Sequence, residues 1–250
     1  MGYVIAVAGK GGTGKTTVSA LIVRLLKEKK CGSILAVDAD PNSNLAEALG
    51  VTAKETIGSI LDRLSANPQE VPPGMGKDSY VEYRVQTAIV EGDGFDLLAM
   101  GHPEGAGCYC YVNNVLRNVI SKLVKDYDFI VLDNEAGLEH LSRRTTRNAD
   151  ALLIVSDASS VGLKAAQRIN QLVKELDIRV KNKFLIVNRS SGGPDKEKVL
   201  GTGLEYLGHL PLDGQISEFS LKGAALMDLD DNNACLNALK KIGEKIWHKS

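Results

Sequence analysis

The chain has 250 residues, of which 44% are hydrophobic and 24% charged, and 30 Lys+Arg against 31 Asp+Glu leave a net charge of −1. That balance gives no general attraction to nucleic acid or to an anionic membrane, and the longest apolar runs, such as Tyr3–Ala8 and Ala151–Val155, are too short to span a bilayer. Four cysteines in this length exclude a disulfide scaffold. A cytoplasmic protein with one α/β domain over residues 1–250 is expected.

In chain order, a strand is predicted at Tyr3–Gly9, a helix at Lys15–Lys30 and a strand at Ser33–Asp38. Residues Ala66–Asp93, with Pro68, Pro72, Pro73 and several glycines, read as an irregular insertion of hairpin type. Strands follow at Asp96–Met100 and Asp128–Asp133, with a helix at Val112–Asp126 between them. The remainder reads as strand Ala151–Ser156, helix Gly162–Asp177, strands Lys183–Asn188 and Glu205–Leu210, and helix Asn233–His248. The strands are rich in Val, Ile and Leu and do not alternate with polar residues, as expected for a parallel sheet covered on both faces. Strand–helix alternation predicts a doubly wound, mostly parallel sheet. The last helix places Leu236, Leu239, Ile242 and Ile246 on one stripe and Lys240, Lys241, Lys245 and Lys249 elsewhere. Docking of that stripe on the sheet is expected, with a membrane-surface helix as the alternative.

The first strand runs into Gly9-Lys10-Gly11-Gly12-Thr13-Gly14-Lys15-Thr16-Thr17, a P-loop. Glycines let backbone N–H groups approach phosphate oxygens, and the helix start adds the positive end of its dipole. Lys15 pairs with β/γ-phosphate oxygens, and the Thr16 hydroxyl holds Mg²⁺. Gly9, Gly11 and Gly14 also satisfy the G-x-G-x-x-G of a dinucleotide site, with Asp38 ending the second strand. That reading leaves Lys15-Thr16 without a role.

Asp38 and Asp40 are spaced i, i+2, so on extended backbone they point the same way. One orders the water around Mg²⁺, and the other, Asp40, orients the attacking water. An N-cap and Asx-turn leading into Asn44–Leu49 is the structural alternative. Asp133 ends the next hydrophobic strand, a position that contacts Mg²⁺ in P-loop enzymes; a helix cap is the alternative. Gly137 can offer its N–H to the γ-phosphate and change shape on hydrolysis. Asn188 is a candidate for hydrogen bonding the purine, with Pro211 and Leu212 along its face. A guanine-reading N-K-x-D would need Asp where Ser191 stands, which favours ATP.

Lys10, together with Asp38-Ala39-Asp40-Pro41, resembles the deviant-Walker ATPases that include nitrogenase iron protein, MinD and ParA. The resemblance implies a nucleotide-sandwiched homodimer in which Lys10 reaches the partner's ATP, so Lys10, Lys15 and Asp40 become the expected catalytic set. Gly107-Cys108-Tyr109-Cys110 and Glu139-His140-Leu141 resemble the CooC-type ATPases, the maturation factors of carbon monoxide dehydrogenase, and the related AcsF of acetyl-CoA synthase. These imply nickel insertion, with one of those two enzymes as client. On extended backbone Cys108 and Cys110 would project to one side, next to a helix start that favours thiolate. Two copies about a two-fold axis would supply four thiolates, suited to Ni²⁺ or Zn²⁺. A pair of incidental thiols or a redox pair is the alternative, although a disulfide across one residue is strained. Two other functions compete. An iron–sulfur electron donor resembling nitrogenase iron protein would want a cysteine shortly after the second switch, and Leu138–Arg144 has none. A MinD-like positioning switch would use the last helix on a membrane. Cys31 and Cys235 read as structural.

Overall fold

A computed structural model gives the fold; it describes residues 2–102, 109–135, 148–176 and 178–247, and at 109–111, 113 and 148 the backbone alone. Strands β1 (Tyr3–Gly9), β2 (Ile34–Ala39), β3 (Val90–Glu91), β4 (Asp96–Ala99), β5 (Phe129–Asn134), β6 (Asn148–Ser156), β7 (Arg179–Val187) and β8 (Glu205–His209) form one sheet. Its order is β3-β4-β2-β5-β1-β6-β7-β8, parallel throughout except for the β3–β4 pair. The helices are α1 (Lys15–Glu28), α2 (Leu45–Ala48), α3 (Ile57–Ala66), α4 (Lys77–Thr87), α5 (Tyr109–Leu123), α6 (Ser160–Glu175), α7 (Lys196–Leu200), α8 (Gly214–Lys222) and α9 (Ala234–Ile246). The predicted fold class is the observed one: an α/β sheet, mostly parallel, with helices on both faces.

Each face of the sheet carries its own apolar layer. Ile57, Ile60, Val81, Val85, Leu116, Ile120, Leu163 and Ile169 pack on one side. Leu21, Leu25, Leu45, Leu236, Leu239 and Ile242 pack on the other. Alternate residues of a strand feed opposite layers, so β1 sends Ala6 and Ala8 one way and Ile5 and Val7 the other. That two-sided burial is why the strands read as unbroken apolar runs.

Sheet order reverses direction at β1, which has β5 on one side and β6 on the other. A crevice opens at the carboxyl ends of the strands at such a point. The ends of β1, β2 and β5 all reach it, with Asp38 opposite Asp133 in the β2–β5 register.

The structure departs from the sequence reading in identifiable places. Residues 66–93 hold helix α4 and strand β3, and only the β3–β4 pair is a hairpin. Helix α4 buries just Tyr80, Val81 and Val85, too few to print a clear helical period on the sequence. Helix α3 was missed although Ile57, Ile60, Leu61 and Leu64 recur at helical spacing; its capping box uses Thr56 and Ser59 in place of a Glu at the third position. Strand β7 starts four residues before the predicted Lys183, since Arg179–Asn182 are polar or only half-buried. In α9 the apolar stripe lies in the core: Leu236 and Leu239 are 0% exposed, and the Tyr3 hydroxyl donates to the Ile246 carbonyl at 2.6 Å. Among the described residues no helix is long and apolar enough to cross a membrane.

Candidate functional site

Helix α1 begins without a side-chain cap and with no acidic residue in its first turn. Its N-cap, Gly14, is left-handed at φ 88°. The free N–H groups of that turn therefore make an anion site. The loop before it is folded by the Thr13 hydroxyl, which donates to the Lys10 carbonyl at 2.8 Å. Two side chains at the end of β7 then pull loop carbonyls away from the site. The Asn188 amide donates to the Thr13 carbonyl at 2.9 Å, and the Arg189 guanidinium to the Gly12 carbonyl at 3.1 Å. In a trans peptide the N–H opposes the C=O, so the Gly14 N–H is turned the other way. A Cβ on Gly14 would run into the Asn188 amide, and one on Gly9 into the Val155 carbonyl. Lys15 is buried at 7% exposure beside the loop, while Lys10 is exposed.

Two carboxylates close the phosphate end. Asp38 is 0% exposed, and its two oxygens accept the N–H groups of Asp40 at 3.1 Å and Leu45 at 2.8 Å. Burial, and next the charge of Asp133, push its pKa up to about 7. Asp133 accepts from the Ser19 hydroxyl at 3.0 Å and from the Thr16 hydroxyl. Burial raises its pKa to about 6, against the pull of those two bonds and of Lys15. Asp40 is half-buried and accepts from the backbone and side chain of Asn42, both at 2.9 Å. The turn-forming alternative is thus realised at Asp40, and Asp38 caps the start of α2 through Leu45.

A divalent ion fits this arrangement. The Thr16 hydroxyl and two buried carboxylates are hard oxygen donors, and their raised proton affinity marks negative charge that a cation would relieve. Mg²⁺ held by these residues would supply charge neutralisation for nucleotide phosphates. The phosphates would complete the ligand set, since among the described residues no group of three or more His, Cys, Asp or Glu can hold a metal.

Beside the loop lies a cavity of about 370 Å³, lined among others by Thr17, Asn188, Pro211, Leu212, Ile216 and Cys235. Its size is in the range of small-molecule sites. Three residues expected at the base, Asn188, Pro211 and Leu212, meet there, yet the Asn188 amide is engaged with the phosphate loop. Arg189 and α8 were missed. Asp213, whose carboxylate accepts the Ile216 N–H at 3.0 Å, was the available sign of a helix start.

Cys108, Gly137 and Glu139-His140-Leu141 lie outside the described residues. Helix α5 begins at Tyr109, three residues earlier than predicted, so the backbone of Cys110 is in its first turn. Cys110 is helical rather than extended, and an i, i+2 same-side projection does not apply to it. The helix follows β4 at the carboxyl edge of the sheet, the edge that carries the P-loop.

Comparison with known proteins places this geometry. The AAA domain family matches residues 2–186. An uncharacterized ATP-binding protein of Methanocaldococcus jannaschii is 45% identical across 98% of this chain and 99% of its own. The carbon monoxide dehydrogenase accessory protein CooC of Rhodospirillum rubrum is 31% identical, covering 90% of this chain and 89% of its own. The cell division ATPase MinD of Pyrococcus furiosus superimposes with a TM-score of 0.73 at 25% identity, covering 98% of both chains. The chain has the fold of the MinD structure and belongs to the AAA domain family of P-loop ATPases.

Proposed function

We propose that this ATPase is a nickel metallochaperone, in which Cys108 and Cys110 from two copies take up the metal and the nucleotide state of the homodimer governs its delivery. The client is carbon monoxide dehydrogenase or acetyl-CoA synthase. One observation carries the reading: a C-x-C in the sequence, whose Cys110 backbone lies in the first turn of α5, in a chain 31% identical across nine-tenths of its length to a carbon monoxide dehydrogenase accessory protein. A helix N-terminus favours thiolate, the metal-binding form of cysteine. Two thiolates leave a coordination shell half filled, and a two-fold axis doubles them. Metal affinity and dimer state are then linked reciprocally.

In this reading the P-loop N–H groups and Lys15 hold the β/γ-phosphates, and Thr16, Asp38 and Asp133 hold Mg²⁺. Asp40 orients the attacking water, Lys10 reaches the partner's nucleotide, and Gly137 senses the γ-phosphate. Two competing readings lack their key feature. A membrane-positioning switch would need the α9 stripe free, and that stripe is buried. An iron–sulfur donor would need a cysteine in 138–144.

Native mass spectrometry of anaerobic protein with Ni²⁺, with and without Mg-ATP, tests the proposal. The expected species is a dimer with a single shared metal, lost in Cys108→Ser and in Cys110→Ser while ATP binding persists. Zn²⁺ should compete for the same site. A dimer that forms with ATP and carries no metal would refute it.

A further inference from the structure

We propose that the first turn of α9 is the positioning element of the base cavity: Asn233 and Cys235 hold residues 211–213 and the start of α8 in the shape that receives a nucleoside base. The inference rests on nucleotide binding at the P-loop and on nothing about the metal.

Asn233 is the N-cap of α9, its side-chain oxygen accepting the Leu236 N–H at 3.1 Å. Capping needs only an oxygen, which Ser, Thr or Asp would supply equally. Asn adds an NH₂ group, and it is used: it donates to the Asp213 carboxylate at 3.0 Å and to the Gln215 side-chain oxygen at 3.1 Å. Asn233 is 6% exposed, so these bonds are shielded from competing water. Two residues on, the Cys235 thiol donates to the Pro211 carbonyl at 3.0 Å. Burial, and then the Asp213 charge, push that thiol up to about 12, so it stays protonated and able to donate.

These contacts converge on one wall. Pro211, Leu212 and Asp213 line the cavity, and so does Cys235 itself. The other oxygen of Asp213 caps α8, whose Ile216, Ser217, Ser220 and Leu221 form the outer side of the cavity. Yet α8 has no buried residue, and Leu212 and Leu221 are 68% and 89% exposed. Packing alone therefore fixes this wall weakly, and the polar junction with α9 supplies the missing constraint. The phosphate loop is held separately, by Asn188 and Arg189. Loss of the junction should thus weaken base recognition and leave phosphate binding intact.

Asn233→Asp is the sharpest perturbation, because it keeps the cap oxygen and replaces the NH₂ donors with an oxygen facing the Asp213 carboxylate. Isothermal titration of the full chain with Mg-ATP, and separately with inorganic tripolyphosphate, reads the two halves of the site. Asn233→Asp should weaken ATP about tenfold and leave tripolyphosphate affinity unchanged. Adding Asp213→Asn to it restores a donor–acceptor pair in reversed order and should recover most of the ATP affinity. Wild-type ATP affinity in Asn233→Asp would overturn the inference, as would equal loss for both ligands or no recovery in the double variant. If the unaltered chain bound neither ligand, the nucleotide reading itself would fall.

Discussion

Replacing Asp38 by Asn should stabilise the nucleotide-free protein at alkaline pH while destroying its activity. Asp38 is fully buried with its pKa pushed from 3.8 up to about 7. Ionising a carboxyl so shifted costs roughly 4 kcal/mol. Asn removes that cost but brings one acceptor oxygen to two N–H donors, those of Asp40 and Leu45. A buried N–H left facing an NH₂ costs about 1–3 kcal/mol, so the net gain is about 2 kcal/mol. For a chain of this length that is a rise of about 4–8 °C in melting temperature. The pH dependence has a definite sign. The folded pKa values of Asp38 and Asp133 lie above the unfolded ones, so the folded chain binds more protons. Their contribution to stability is complete below the unfolded pKa near 3.8 and is lost as pH rises through about 6 to 7. Calorimetric melting in EDTA without nucleotide, from about pH 5.5 to about pH 8, is the assay. Wild type should melt lower as pH rises, Asp38→Asn should melt with a flatter profile, and Mg-ATP should flatten wild type. Identical slopes in the two proteins, or a lower melting point for Asp38→Asn at the alkaline end, would refute the reasoning.

Two other substitutions test separate parts of the description. Gly14→Ala places a Cβ at φ 88° against the Asn188 amide and should lower ATP affinity more than tenfold; titration with Mg-ATP reads it, and unchanged affinity contradicts the loop geometry. Leu239→Ala, at a fully buried position of α9, should cost about 3 kcal/mol in urea unfolding. An unchanged midpoint with altered vesicle co-sedimentation would return α9 to the membrane.

The fold was legible because its core is two-sided. Each central strand is an apolar run, and each covering helix repeats apolar residues at helical spacing, as in Leu21 and Leu25 or Leu236 and Leu239. Helix α3 escaped although Ile57, Ile60 and Leu64 sit in the core; helices α4 and α8 escaped because they are peripheral. Helices α4 and α8 bury three residues and none, so no apolar period marks them. The phosphate end of the site was legible because its chemistry is local in sequence: glycines, Lys15 and Thr16 within nine residues. The base end was not, because it is assembled from the end of β7, residues 211–213, α8 and α9, which come together only through the sheet. Asn188 illustrates the limit. Its position at a strand end was readable, whereas the direction of its amide, toward the Thr13 carbonyl, depends on the P-loop packed beside it. Asp38 and Asp40 illustrate the reverse, since their turn-forming and capping bonds to Asn42 and Leu45 are local in sequence and were readable there.

The bonds made by Asp38 bear on how the proposed site would respond to a bound cation. Natural sequences satisfy local rules nearly everywhere and break them where function requires. Here the exceptions cluster: an uncapped helix start, a left-handed Gly14, and two buried carboxylates opposed across neighbouring strands. Each exception is complementary to one part of a magnesium nucleotide, the helix start to phosphate and the carboxylates to the cation. The Asp38 oxygens that would meet this charge also hold the backbone N–H groups of Asp40 and Leu45. Any change in charge at Asp38 therefore alters the acceptor strength that fixes residues 40–45, and with them the side chain of Asp40. In the proposed reading, a cation on Asp38 would act on that loop through two hydrogen bonds of 3.1 and 2.8 Å.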